Sequence, residues 1–84
     1  MNSQITECIA QALAFTEEEV SALLPDEDLT ERGLSSISAI QLIVLLEEAF
    51  DFEIDDVDLQ IDSVKSVRRI EGLLKRYGKP QDLD

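Results

Sequence analysis

The 84-residue sequence predicts an all-α protein, a small four-helix bundle with three longer helices, one short helix and a long first loop. Apolar residues recur at spacings of three and four in three stretches, as in helices that bury one face. Serine, glycine and proline residues at the ends of these stretches supply start and stop signals. With 44% hydrophobic and 31% charged residues, the chain has a globular composition. We therefore expect residues 1–84 to form a single domain, with a frayed tail at 79–84.

The first helix is expected to follow Ser3 as its N-cap. Cys8 falls on its apolar face, so we interpret this residue as a small buried hydrophobe rather than as a reactive thiol. A long connection then runs from about residue 14 to Gly33. Within it, Thr16 and Glu19 have the spacing of a capping box, which predicts one or two helical turns that end before Pro25.

The second main helix is expected to begin at Ser35 or Ser36 and to run to about Phe50, with Ser35 as N-cap after the flexible Gly33. It has more apolar residues than one buried stripe requires. A second apolar row predicts a partly exposed binding surface, unless the long loop covers it. That row consists of Ile37, Ile40 and Val44.

The remaining chain predicts a short helix near residues 55–60 and a last helix that starts with Ser63 as N-cap. Gly78 suits the position just after that helix, and Pro80 follows as a stop signal. The acidic segment 51–62 lacks the central glycine and the terminal glutamate of a calcium-binding loop, so we expect no dedicated metal site.

The charge is large and unevenly placed. The net charge is −12, with sixteen acids and only Arg32 as a base in residues 1–62, against three acids and six bases in residues 63–84. Such a chain would repel the phosphates of a nucleic acid, which excludes that class of partner. The acidic surface serves solubility or attracts basic partners, and composition alone does not choose between the two.

Several catalytic and targeting classes are excluded by simple counts. With no histidine and one cysteine, the chain has no usual zinc-ligand set and no Cys-His or Ser-His catalytic pair. The apolar run 42–46 is too short to span a membrane, and the first residues do not form a secretion signal. We expect a cytoplasmic monomer.

Three hydroxyl groups cluster where the long loop enters the second main helix, on Ser35, Ser36 and Ser38. Backbone N–H groups and the helix dipole favour a phosphate at such a place. Ordinary helix capping explains the serines equally well, and the pattern alone favours it. A serine hydrolase is poorly supported, because no histidine is present to activate the hydroxyl.

The segment from Gly33 to Ile54 reads Gly-Leu-Ser-Ser-Ile, an apolar helix, Glu-Glu-Ala-Phe and then an isoleucine after further acids. It resembles the acyl carrier protein family, whose pattern is roughly Gly-Leu-Asp-Ser-Leu, an apolar helix and Glu-Glu-x-Phe. The resemblance implies a four-helix carrier, not an enzyme. A phosphopantetheinyl transferase would move 4′-phosphopantetheine from coenzyme A, with magnesium, to Ser36, and Ser35 and Ser38 are the alternative positions.

The resemblance also implies roles for other residues. The arm would hold an acyl group as a thioester for enzymes of fatty acid, unusual lipid or polyketide synthesis. The alternatives are a peptidyl or aminoacyl carrier, or an unmodified acidic interaction module. The partners would be enzymes with basic patches that load or process the acyl group. They would contact Ile37, Ile40, Val44, Glu47, Glu48, Asp55 and Asp56. Candidates to line an acyl cleft are Leu42, Leu46 and Ile61, which ordinary core packing explains equally well.

Two positions depart from the family pattern. Ser35 stands where the family usually has aspartate, and Gln41 stands where it commonly has glutamate. Both changes remove a charge near the site, which favours a specialised carrier. The Gly-Leu start, in contrast, is more typical of acyl than of peptidyl carriers.

Overall fold

The computed structural model describes residues 3–78, which form four α-helices and three 3₁₀ turns. The helices are α1 (Ser3–Leu13), α2 (Glu17–Ser21), α3 (Ser36–Phe50) and α4 (Val67–Arg76). The 3₁₀ turns are Leu29–Arg32, Asp56–Asp58 and Ile61–Val64. No strand occurs in this part of the chain, so the predicted all-α bundle is confirmed. The expected tail at 79–84 and the stop signal at Pro80 lie outside the described residues.

The core forms where α1 packs on α3 and where α4 closes the bundle through the 3₁₀ turn Ile61–Val64. Cys8 is buried within it and unpaired by any disulfide, as expected of a small hydrophobe. Burial, and then the charge of Glu7, raises the pKa of this thiol. Across residues 3–78, no helix has the length and apolar character needed to cross a membrane. The fully buried side chains include Ile5, Ile9, Leu29, Leu42, Leu46, Val64, Val67, Ile70 and Leu74.

The capping box predicted at the start of α2 is present. The Glu19 N–H donates to the Thr16 hydroxyl at 3.2 Å, and the Thr16 N–H donates to the Glu19 carboxylate at 2.9 Å. At α1 the expectation was wrong, because Ser3 lies within the helix as described and does not cap it. Its carbonyl accepts a hydrogen bond from the Thr6 hydroxyl at 3.0 Å, a contact typical of a residue within a helix.

The predicted start of the last helix was also wrong. Ser66, not Ser63, caps α4, and its hydroxyl accepts from the Arg69 N–H at 3.2 Å. The long loop fixes this boundary: the Leu29 N–H donates to the Lys65 carbonyl at 2.7 Å, and the Arg68 N–H donates to the Pro25 carbonyl at 2.9 Å. These bonds satisfy backbone groups at the helix start that a longer helix would use internally. Gly78 does adopt the left-handed conformation after α4, with φ of 70°.

The helix predicted near residues 55–60 is reduced to the 3₁₀ turn Asp56–Asp58, which α4 holds in place. The Tyr77 hydroxyl donates to Asp58 at 2.8 Å and accepts from the Asp55 N–H at 2.8 Å. Arg76 pairs with Asp58 at 3.1 Å, and the rings of Phe52 and Tyr77 lie 5.3 Å apart. The Asp55 N–H lowers the pKa of Tyr77, but burial, the Asp58 hydrogen bond and the two carboxylate charges together raise it.

Candidate functional site

The start of α3 follows a residue in the left-handed conformation, Gly33. Gly33 ends the 3₁₀ turn Leu29–Arg32 with φ of 107°, a conformation that other residues rarely adopt. The next residue, Leu34, is buried, and its N–H donates to the Leu29 carbonyl at 2.9 Å. The loop is therefore anchored on both sides of Gly33, which places residues 35 and 36 at the surface.

Two of the three clustered serines cap α3. Ser35 is the N-cap, and its hydroxyl accepts from the Ser38 N–H at 3.3 Å. The Ser38 hydroxyl in turn accepts from the Ser35 N–H at 2.8 Å, so the two serines form a reciprocal capping box. The cap predicted at Ser35 is confirmed, and both hydroxyls are engaged in it.

Ser36 differs from both neighbours. It is the first residue of α3, its side chain is exposed, and within residues 3–78 its hydroxyl has no hydrogen-bond partner. The first N–H groups of α3 point toward the same end of the helix, where the helix dipole favours an anion. No acidic residue lies in the first turn of α3. A phosphodiester on Ser36 would therefore meet favourable dipoles and no opposing charge from the first turn of this helix.

Arg32, the base nearest in sequence to the start of α3, already contacts other residues. Its guanidinium pairs with Glu27 and lies 5.4 Å from the centre of the Phe15 ring. A hydrogen bond from the Leu24 N–H, and then the Arg32 contact, holds the pKa of Glu27 below its ordinary value. Arg32 and Glu27 thus stabilise the long loop, and the Arg32 guanidinium is already engaged there.

The second apolar row of α3 faces solvent. The exposed fractions are 74% for Ile37, 60% for Ile40 and 46% for Val44. The long loop therefore does not cover the row, and the alternative left open by the sequence is removed. Large apolar side chains at this exposure are typical of surfaces that bind another molecule.

The acidic residues expected at a partner surface fall into two groups. Glu48, Asp55 and Asp56 are exposed. Glu47 is half-buried, and its carboxylate accepts from the Ile54 N–H at 2.8 Å, so it fastens the segment after α3 to the helix. No sequence pattern signals this bond between residues seven apart, because it depends on how the chain turns after Phe50.

The three candidates for an acyl cleft lie in or against the core. Leu42 and Leu46 are fully buried, and Ile61 packs against the same cluster at partial exposure. Sequence reasoning did not identify the cavity of about 430 Å³ between α1 and α3, lined by Gln11, Ala12, Ile40, Gln41, Val44 and Leu45. The pairing of α1 with α3 creates it, and a single helix carries no signal for such a pairing.

Comparisons with known proteins agree with the family resemblance of the segment from Gly33 to Ile54. A family model described as "Phosphopantetheine attachment site" matches residues 3–74. The chain is 36% identical over 75 residues to a protein from Agrobacterium fabrum named "Aminoacyl carrier protein", covering 89% of each. It also superposes, with a TM-score of 0.78 and 36% identity, on a chain in the crystal structure of an engineered Bradyrhizobium japonicum glycine:[carrier protein] ligase complexed with carrier protein from Agrobacterium tumefaciens and AMP. That superposition covers 89% of this chain and 99% of the other.

Proposed function

Because the chain belongs to the phosphopantetheine-attachment family of carrier proteins, we propose that Ser36 bears its 4′-phosphopantetheine arm. The exposed Ser36 hydroxyl, with no partner within residues 3–78, carries this proposal. The hydroxyls of Ser35 and Ser38 are engaged in the helix cap and are poorer acceptors of the group. When attached, the arm supplies a terminal thiol that holds the cargo as a thioester.

The chain's own contribution is to present and orient the arm. A phosphopantetheinyl transferase supplies the chemistry, so Ser36 needs no activating neighbour, in agreement with the absence of histidine from the sequence. The N-terminal N–H groups of α3 stabilise the phosphate after transfer. Because Ser36 lies at the protein surface, the arm can reach the active sites of several enzymes from one anchored position.

The proposed cargo is an amino acid. Sequence alone favoured a fatty-acyl, lipid or polyketide cargo, but the named relative and the ligase complex support the aminoacyl alternative better. Full burial of Leu42 and Leu46 fits this cargo, since a small polar aminoacyl group needs no apolar cleft. Ser35 and Gln41, where acyl carriers commonly have carboxylates, fit a loading enzyme other than those of fatty acid synthesis.

Partner enzymes are proposed to meet the exposed side of α3. Ile37, Ile40 and Val44 provide apolar contacts beside the arm, and the carboxylates of Glu48, Asp55 and Asp56 attract basic patches. Glu47 contributes indirectly, because its carboxylate already binds the Ile54 N–H.

A comparison of two loading reactions tests the cargo. The protein bearing its arm is incubated with ATP, an amino acid and the glycine:[carrier protein] ligase, and separately with ATP, a fatty acid and an acyl carrier protein synthetase. Intact-mass spectrometry follows thioester formation, and Ser36→Ala serves as the blank. We expect aminoacylation at least tenfold faster than acylation, a barrier difference of about 1.4 kcal/mol. Faster acylation would restore the fatty-acyl interpretation.

A further inference from the structure

Two adjoining cavities lie between α1 and α3. One, of about 430 Å³, contains Ala12 and Val44, and the other, of about 370 Å³, reaches Glu7 and Glu48. Gln11 and Leu45 line both cavities, and the two together are called here the α1–α3 groove.

The two halves differ in chemistry. The first half combines the aliphatic side chains of Ile40, Val44 and Leu45 with the uncharged amides of Gln11 and Gln41. The second half carries the carboxylates of Glu7 and Glu48. Neither α1 nor α3 contains a lysine or arginine, so no cation on these helices neutralises that end. The groove therefore complements a segment with an aliphatic side chain at one end and a basic side chain at the other.

The α1–α3 groove also lies within reach of an enzyme that engages the arm. Along α3, Ile40 is about 6 Å and Glu48 about 18 Å from Ser36, at 1.5 Å per residue. The exposed Ile40 and Val44 belong both to the apolar row beside Ser36 and to the wall of the groove. A protein that covers the apolar row thus meets the mouth of the groove as well.

We infer that the amino acid ligase that loads the arm inserts a segment of its chain into the α1–α3 groove. An aliphatic side chain of the ligase packs between Ala12 and Val44, and a lysine or arginine pairs with Glu7 and Glu48. This inference rests on the proposed function, and it assigns to α1 a direct part in recognition. Uncharged Gln41 keeps the aliphatic end of the groove neutral, which disfavours enzymes that present a basic residue there.

Photo-crosslinking tests the contact without relying on activity. p-Benzoylphenylalanine is placed at Gln11, in the groove, or at Glu18, an exposed position on α2 that lines neither cavity. The protein with its arm is irradiated with the glycine:[carrier protein] ligase. We expect a crosslinked product from position 11 and none from position 18. Equal crosslinking from both positions, or none from position 11, would overturn the inference.

Charge reversal tests the basic contact. Glu7→Lys and Glu48→Lys should raise the KM for loading by about threefold to tenfold with little change in kcat, while Glu18→Lys makes the same change in net charge with no effect. Ala12→Leu, which fills the aliphatic end, should raise KM similarly. Circular dichroism checks that each variant is folded, and the mass after transferase treatment checks that each bears its arm.

The possible failures are distinguishable. If all variants load like wild type, the α1–α3 groove is not the docking site and Glu48 does not attract the ligase, although the proposed arm and cargo stand. If wild type bears the arm on Ser36 and the ligase never loads it, the proposed aminoacyl cargo is wrong, and this inference is wrong with it.

Discussion

At the scale of single residues, the three serines at the start of α3 differ in whether the hydroxyl caps the helix or is exposed. Sequence rules predict that Ser35 is an N-cap. The resemblance to the family motif leads to the proposal that Ser36 bears the arm. The partnership of Ser38 with Ser35 could not be predicted, because the reciprocal capping box normally has glutamate or glutamine at its third position. Which of these hydroxyls is engaged and which is exposed is visible only in the structure.

This division predicts opposite effects of two alanine substitutions. Ser38→Ala removes the hydrogen bond to the Ser35 N–H and should lower the free energy of unfolding by roughly 0.5–1.5 kcal/mol. Ser36→Ala breaks no hydrogen bond within residues 3–78 and should leave it unchanged or slightly raised, since alanine favours helices. Urea denaturation measures both, and a larger loss for Ser36→Ala would contradict the assignment.

Glu27 predicts a pH dependence. Its folded-state pKa lies below the ordinary value of 4.5, so its contribution to stability is present above pH 4.5 and disappears as pH falls through the lowered pKa. Glu27→Gln should therefore reduce Tm at pH 7, and its difference from wild type should shrink as the pH falls below 4.5. Thermal denaturation over a series of pH values measures the difference. Identical Tm values at pH 7 would show that the bonds of Glu27 to Leu24 and Arg32 do not stabilise the loop.

At the scale of elements, segments with their own periodicity or capping box could be predicted, and boundaries and turns fixed by tertiary contacts could not. Periodicity and caps located α3 closely because Ser35 and Phe50 delimit a long apolar run. Ser63 and Ser66 both have the chemistry of an N-cap, and the choice between them depends on loop bonds to Lys65 and Arg68 that are remote in sequence. The 3₁₀ turn Asp56–Asp58 likewise depends on tertiary contacts, because no side chain caps it.

Tyr77 supplies the main contacts that hold this turn. Tyr77→Phe keeps the ring against Phe52 but removes the hydrogen bonds to Asp58 and from the Asp55 N–H. We expect a loss of roughly 1 kcal/mol in stability and faster hydrogen exchange at the Asp55 amide.

Hydrogen exchange followed by NMR measures this effect, with the Ile54 amide as an internal control. The Ile54 N–H is bound by Glu47 and should keep its protection in the variant. Unchanged protection at Asp55 would mean that the turn is held by other contacts.

At the scale of the whole molecule, net charge opposes compactness. Nineteen acids on 84 residues repel one another across a small volume, and the seven bases, six of them in residues 63–84, offset only part of this repulsion. The described ion pairs Lys65–Asp28 and Arg68–Asp26 join the positive end of the chain to the acidic loop. The uneven charge seen in the sequence thus corresponds to tertiary contacts between the loop and the chain at residues 65–68.

Salt should therefore stabilise the protein. Raising ionic strength from low to physiological values screens the repulsion over distances beyond about 8–10 Å, whereas close ion pairs are weakened less. We expect Tm to rise by several degrees, measured by circular dichroism. A Tm that stays constant or falls would mean that the ion pairs outweigh the general repulsion.

Peptide mapping of the modified residue tests directly whether Ser36 bears the 4′-phosphopantetheine arm. Protein lacking the arm is treated with coenzyme A, magnesium and a promiscuous phosphopantetheinyl transferase, digested and sequenced by tandem mass spectrometry. We expect one phosphopantetheinyl group, on Ser36, in wild type and in Ser38→Ala, and none in Ser36→Ala. A group found on Ser35 or Ser38, or one that persists in Ser36→Ala, would contradict this expectation.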